Sequence, residues 1–315
     1  MPYRLTHEEP LANGLRRVVR EELRAGLKAL SGEVPSATPE AKAEAIHEAR
    51  KSIKKVRAII RLLGAGLGAG GARDNAGLRD AARELAQLRD ADVVVKTVDT
   101  LLARYPHGLS AELVSSMRSD LMVLGAAVAD GNVTDPIAAA TSTLSKTLRL
   151  VNFWRFGKVD FDLIEAGFEA TYRKARRNLE RVKADPSVQN FHELRKRVKD
   201  HWYHIRLLEI VRPQVLAARE ASLRDLQECL GDDHDLAVLE IRIGPESELI
   251  PLVEIARKEL RGTALALATR LYQQKPKAYI RRMRELWSAW RSEPLPRPRP
   301  ILVPQKRPRA ATQTA

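Results

Sequence analysis

Apolar residues recur at every third or fourth position through nearly all of this chain, and no segment alternates with the period of two that a half-buried strand needs. The pattern predicts an all-α protein. The first helices fall at about 9–30, 39–63, 72–88, 91–105, 109–130 and 135–151. A second set falls at about 161–184, 190–211, 213–230, 233–241, 246–273 and 276–291. Thr38 offers an N-cap oxygen and Pro39 a first-turn proline, with no Glu at position 41 to complete a capping box. The stretch GAGLGAGGARDNAG, Gly64 to Gly77, is too rich in glycine to be expected as helix. Asp185 and Pro186 close one helix and Pro213 opens another. After Glu293 the run PLPRPRPILVPQKRPRAATQTA has no periodicity and reads as an extended basic tail.

The same text is written twice. HEARKSIKKVRAIIRLL from His47 and HELRKRVKDHWYHIRLL from His192 agree at His47, Glu48, Arg50, Lys51, Lys54, Ile60, Arg61, Leu62 and Leu63. The same offset pairs the LRD of Leu78 to Asp80 with that of Leu223 to Asp225, Leu85 with Leu230, Asp90 with Asp235, and Val93 with Val238. A duplicated helical unit is the simplest reading: two pseudo-symmetric helical bundles, residues 1–155 and 156–292, followed by a tail at 293–315. Such an arrangement would let the two related helices face each other across a central basic channel.

On a helical projection from His47, with 100° per residue, Arg50, Lys51, Lys54, Arg57 and Arg61 fall within an arc of about 120°. Ile53, Val56, Ile60 and Leu63 lie opposite. In the second copy Arg195, Lys196, Lys199 and Arg206 occupy the matching arc around His192, backed by Leu194, Val198, Ile205 and Leu208. One face of each helix packs, and the other carries charge of one sign with no Asp or Glu interleaved on the same arc. Like charges three and four residues apart destabilise a helix by a few tenths of a kcal/mol per pair, so a compensating anion is expected. Phosphate suits the set: Arg offers a planar fork of donors, Lys a mobile point charge, and His an N–H whose protonation an anion draws up.

Composition sharpens this picture. Lys and Arg number 54 against 40 Asp and Glu, a formal charge of +14, so the surface attracts polyanions; nucleic acid, acidic headgroups and phosphate polymers all meet that description. The single Cys229 excludes an intrachain disulfide framework and any multi-cysteine zinc site, which suits a reducing cytoplasm. The N-terminal MPYRLTHEEPLANGL lacks the apolar core of a signal peptide. The longest apolar run, Leu121 to Ala129, is far short of the roughly 20 residues a bilayer crossing needs, and no membrane partner is expected.

With the paired His-x-x-Arg-x-x-x-Lys helices (His47, Arg50, Lys54; His192, Arg195, Lys199) and the Leu-plus-Asp segments ending in Arg89-Asp90 and His234-Asp235, the sequence resembles the CHAD domain. The resemblance covers about residues 10 to 290. It implies a helical protein that binds inorganic polyphosphate in a basic channel between two halves, associated in several cases with polyphosphate granules. By that resemblance His47, Arg50, Lys54, Arg57, Arg61, His192, Arg195, Lys199 and Arg206 line the channel, with Lys51 and Lys196 on the same stripes and Arg16, Arg20, Arg173 and Arg177 as further candidates from the first helix of each half. Two positions depart from the family: Trp202 stands where an Arg usually precedes the tyrosine, here Tyr203, and His234 replaces the residue type of Arg89. No triphosphate-hydrolysing domain precedes the helical unit in this sequence, so binding without catalysis, and without a cofactor, is expected.

Two other functions share part of this pattern. His234-Asp235, with His192, His201 and His204 upstream, could suggest an HD-type metal phosphohydrolase. However, His201 and His204 project toward the apolar side of their helix, where hydrogen-bonded core histidines are expected. The repeat keeps the aspartates and not His234, so Asp90 and Asp235 are expected to cap or pair at a helix start. A nucleic-acid-binding helical module lacks a sheet motif, a zinc finger, a recognition helix and aromatics interleaved with the basic stripe, although the tail could touch nucleic acid nonspecifically.

Overall fold

The computed structural model describes residues 3–31, 38–88, 90–105 and 135–294. The predicted helix at 109–130, Arg89 and nearly all of the basic tail lie outside the described residues. Those described contain helices and no strand. In chain order these are α1 (Leu11–Leu30), α2 (Pro39–Leu63), α3 (Gly68–Gln87), α4 (Asp90–Arg104), α5 (Pro136–Val151), α6 (Asp162–Ala184), α7 (Val188–Leu208), α8 (Pro213–Ile243), α9 (Ile250–Leu271) and α10 (Pro276–Ser292).

Local chemistry sets where the two basic helices begin. Thr38 Oγ1 accepts from the Ala41 N–H at 3.3 Å, with Pro39 in the first turn of α2. Ser187 Oγ accepts from the Asn190 N–H at 3.4 Å and so caps α7, while Asn190 Nδ2 donates back to the Asp185 carbonyl at 2.9 Å. Both predicted apolar backs are buried: Ile53, Val56, Ile60 and Leu63 on α2, and Leu194, Val198, Ile205 and Leu208 on α7. Burying one such side chain is worth about 1.5–3 kcal/mol, enough to fix which way the opposite, cationic face must turn.

Helices α1, α2, α3 and α5 pack on one another, and α6, α7, α8 and α9 form a second group. The main core is continuous between them. Gly167 of α6 explains how close they come: a Cβ there would lie 1.9 Å from the Leu62 carbonyl oxygen of α2, so only glycine permits this backbone contact. Helix α4 instead joins α8 and α9, where Val94, Val98 and Leu101 pack with Leu236, Leu239 and Val253 in a separate apolar cluster.

Two sequence expectations need correction. The glycine-rich stretch is not a loop: a 3₁₀ turn covers Gly64–Leu67 and α3 already starts at Gly68. Within this stretch positive φ is confined to Gly64 (54°) and Gly68 (59°); beyond them the chain is helical, in a helix whose Leu78, Ala81 and Leu85 are buried in the main core. The predicted break between 230 and 233 is also absent. Helix α8 runs unbroken through Gly231, since one interior glycine costs only about 1 kcal/mol and the flanking Leu230 and Leu236 are buried.

Candidate functional site

Packing α2 against α7 turns the two charged faces together. The charges acting most strongly on Lys54 are Lys199, Arg50 and Arg195; those acting on Lys199 include Arg195 and Arg50. Two cations from each helix thus form one cluster. All four are half-buried. Burial first, and repulsion by Lys199 and the two arginines second, pushes the Lys54 amine down to about 6, and burial with Arg195 brings Lys199 to about 8. Burial likewise lowers the Arg195 guanidinium.

Asp235 of α8 is the carboxylate common to Lys54, Arg195 and Lys199, and it favours their charged forms. It does not offset burial and repulsion, because both amines remain depressed beside it. Asp235 lies in the middle of α8 and not at a helix start, which corrects the capping role expected for it. Gly231, one turn earlier, lies beside the Arg195 guanidinium: a Cβ there would be 3.9 Å from Arg195 Nη2, an ordinary contact distance.

The His192 ring lies 4.6 Å from that of His234, tilted by 36°. Burial, then Arg195, brings His234 to about 4; burial, then Lys196 and Arg195, also lowers His192. Both rings are therefore neutral near pH 7 while the cluster has no anion. Arg195 Nε and His192 Nδ1 are buried without a hydrogen-bond partner among the described residues, so donor and acceptor capacity remains at this point.

A cavity lies toward each end of the α2 cations. Near the start of α2, about 280 Å³ is lined by His47, Lys96, Arg104, Asp232 and Asp235 among others. Toward its end, about 540 Å³ is lined by Arg61, Asn75, Lys174 and Arg197 among others. There Arg57 Nε donates to Asn75 Oδ1 at 3.1 Å and Arg61 Nη1 to the same oxygen at 3.3 Å. Arg61 is also paired with Asp200, which accepts from Arg197 at 3.3 Å and is only 4% exposed. Asp200 sits just outside the predicted arc, so the stripe is partly neutralised at this end.

The other sequence candidates are placed differently. Lys51 pairs with Glu48 at 2.9 Å and Lys196 with Glu193 at 2.6 Å on the outer edges, although Lys196 still acts on both His192 and His234. Arg206 lies over the Trp202 ring at 4.9 Å and the Tyr3 ring at 5.9 Å. The Trp202 indole N–H donates to Glu220 at 2.8 Å and is thereby occupied. Arg16 donates to the Trp154 carbonyl at 2.5 Å and Arg20 to Asn152 at 3.2 Å; Arg173 and Arg177 are exposed, with Arg173 on Glu169. None of these contacts reaches the Lys54 cluster. His234, Asp235, Arg197 and Lys174 were not expected at the site; the Asp90–Asp235 match of the repeat was the available signal for Asp235, and the repeat gave none for His234, which aligns with Arg89.

His201 and His204 are fully buried core residues, as expected. His201 bonds the hydroxyls of Tyr272 and Tyr279, each at 3.0 Å, and His204 Nε2 donates to the Ala58 carbonyl at 2.9 Å. Burial holds His204 at about 4. Among the described residues, no three His, Cys, Asp or Glu side chains are grouped to hold a metal ion.

Fold and site together define an all-helical protein with a cationic cluster between two packed helices. The CHAD domain family model matches residues 21–244, more than half of the sequence, and the chain belongs to that family. Its structure is similar to the crystal structure of the CHAD domain from the plant Ricinus communis, with a TM-score of 0.55 and 16% identity over 86% of this chain and 93% of the other. No curated protein sequence matches it.

Proposed function

We propose that this chain binds inorganic polyphosphate, without catalysis, between α2 and α7, and that it acts in the cytoplasm on polyphosphate granules. The observation that carries the reading is the convergence of Arg50 and Lys54 with Arg195 and Lys199, whose amines are held below their ordinary basicity in the absence of an anion. A phosphate chain supplies a negative charge at every repeat. Set between these side chains it would restore both ammonium groups and take the spare Arg195 Nε donor. Counterions released from the polymer would add to affinity, so binding falls steeply with salt. The cavities lined by His47 and by Arg61 let a chain longer than the cluster continue past either end.

A linear phosphate polymer fits better than single-stranded nucleic acid because Lys54, Arg195 and Lys199 lie over no Phe, Tyr or Trp ring among the described residues, and the histidine rings beside them, His192 and His234, are packed on each other. The test is competition between long-chain polyphosphate and single-stranded DNA at one salt concentration, for the native chain and for Lys54→Glu with Lys199→Glu. Preferential polyphosphate binding that the double variant loses supports the reading. Equal binding by the variant, or preference for DNA, overturns it.

A further inference from the structure

A second charged surface lies away from the α2–α7 cluster, where α5 ends and the chain crosses to α6. Phe153 is 75% and Val159 79% exposed, and Leu150 joins them at 37%. Large apolar side chains this open, three within ten residues of the chain, need a reason. Exposed cations accompany them: Arg73, Lys146 and Arg155 line the same groove as Leu150 and Phe153, and Arg149 and Lys158 neighbour Leu150 and Val159 in sequence. A groove of about 580 Å³ runs beneath, with Leu67, Leu150, Phe153 and Trp154 in its walls and Arg73, Lys146 and Arg155 among its lining.

The nearby carboxylates are fewer than the cations. Asp162 is paired with Arg284 at 2.5 Å, which leaves Asp160, accepting from the neutral Trp287 indole N–H at 2.6 Å, and Asp74, in the groove lining beside Arg73 and Lys146, against the five cations. The segment is also anchored from below, since Arg16 donates to the Trp154 carbonyl while lying over the Phe156 ring at 4.6 Å, and Arg20 donates to Asn152. An anchored segment with exposed apolar side chains among cations is complementary to one kind of surface: phosphate groups at the level of the cations, with hydrocarbon beyond them. A soluble polyanion would satisfy the cations and leave Phe153 in water.

We propose that this face docks on an anionic phospholipid surface, with Phe153 and Val159 entering the boundary between headgroups and acyl chains while Arg73, Lys146, Arg155 and Lys158 take the lipid phosphates. This departs from the sequence expectation of no membrane partner. It concerns peripheral docking only, as among the described residues no helix is long and apolar enough to cross a membrane. It does not depend on polyphosphate binding.

Co-sedimentation with vesicles of phosphatidylcholine and phosphatidylglycerol, and with pure phosphatidylcholine vesicles, tests it. The native chain should bind the mixed vesicles and bind the neutral ones far more weakly. Phe153→Ser with Val159→Ser, which leaves the charge unchanged, should weaken binding roughly tenfold or more. Arg155→Glu with Lys158→Glu should weaken it at least as much. All four positions are exposed, so melting temperatures should stay at the native value. The proposal is overturned if the native chain ignores mixed vesicles, or if the serine variant binds them as tightly as the native chain, since net positive charge alone would then account for the attraction.

Discussion

Replacing Lys54 with Met should make the protein more stable and a poorer binder. The amine has an ordinary pKa of 10.5 and stands at about 6 in the fold, so near pH 7 folding strips a proton that the unfolded chain keeps. That costs the folded state about 4–5 kcal/mol at pH 7. Water entry and side-chain relaxation reduce the figure, and methionine keeps most of the packing of the lysine stem. A net gain of about 1–2 kcal/mol, seen as a rise of at least about 2 °C in Tm, is the expected result. The penalty on the native chain is full below pH 6, where both states are protonated, and shrinks as pH rises toward 10.5, so the advantage of the variant should shrink with it. Thermal melts of both proteins from pH 6 to 10 check this, alongside polyphosphate titration, where loss of one charged donor should cost about tenfold or more. A variant that melts below the native chain at pH 6 to 7 would refute the reasoning, because it would show Lys54 stabilised by its neighbours.

Further outcomes follow from the same geometry. Because a polyanion favours charged Lys54 and Lys199, which stand at about 6 and 8 without it, binding should take up protons and weaken as pH rises from about 6 to 9; calorimetry in two buffers of different ionisation heat reads the uptake, and pH-independent affinity would contradict it. Asp200→Asn leaves Arg61 and Arg197 facing a neutral side chain at a buried position and should cost about 3–5 kcal/mol in denaturant unfolding. Gly167→Ala should be among the most destabilising single changes, by more than about 3 kcal/mol in the same assay, since its Cβ would meet backbone and not a flexible side chain.

Much of the fold was legible along the chain. The period of the apolar residues placed α2 and α7 to within two residues of their starts, and the buried backs of both helices are the predicted ones. Capping chemistry is local, so Thr38 and Pro213 acted as expected. Residues brought in by distant helices were not legible. Asp235 reaches Lys54 and Lys199 from the middle of α8, and a helical projection of α2 or α7 carries no information about it. Asp200 was missed more narrowly: it lies just beyond the edge of the cationic arc, and only the approach of α2 decides that it meets Arg61. The glycine-rich stretch misled because intrinsic propensity was outweighed by packing, since α3 buries Leu78, Ala81 and Leu85 in the main core.

The central claim, that α2 and α7 hold a phosphate chain between their charged faces, is tested most directly by a crystal structure of the protein with a short-chain polyphosphate. Phosphate oxygens within hydrogen-bond reach of Lys54 Nζ, Lys199 Nζ and Arg195 Nε are the predicted result. Phosphates held only at the exposed Arg173 and Arg177, or beside Arg16 and Arg20, with none between the two helices, would contradict it.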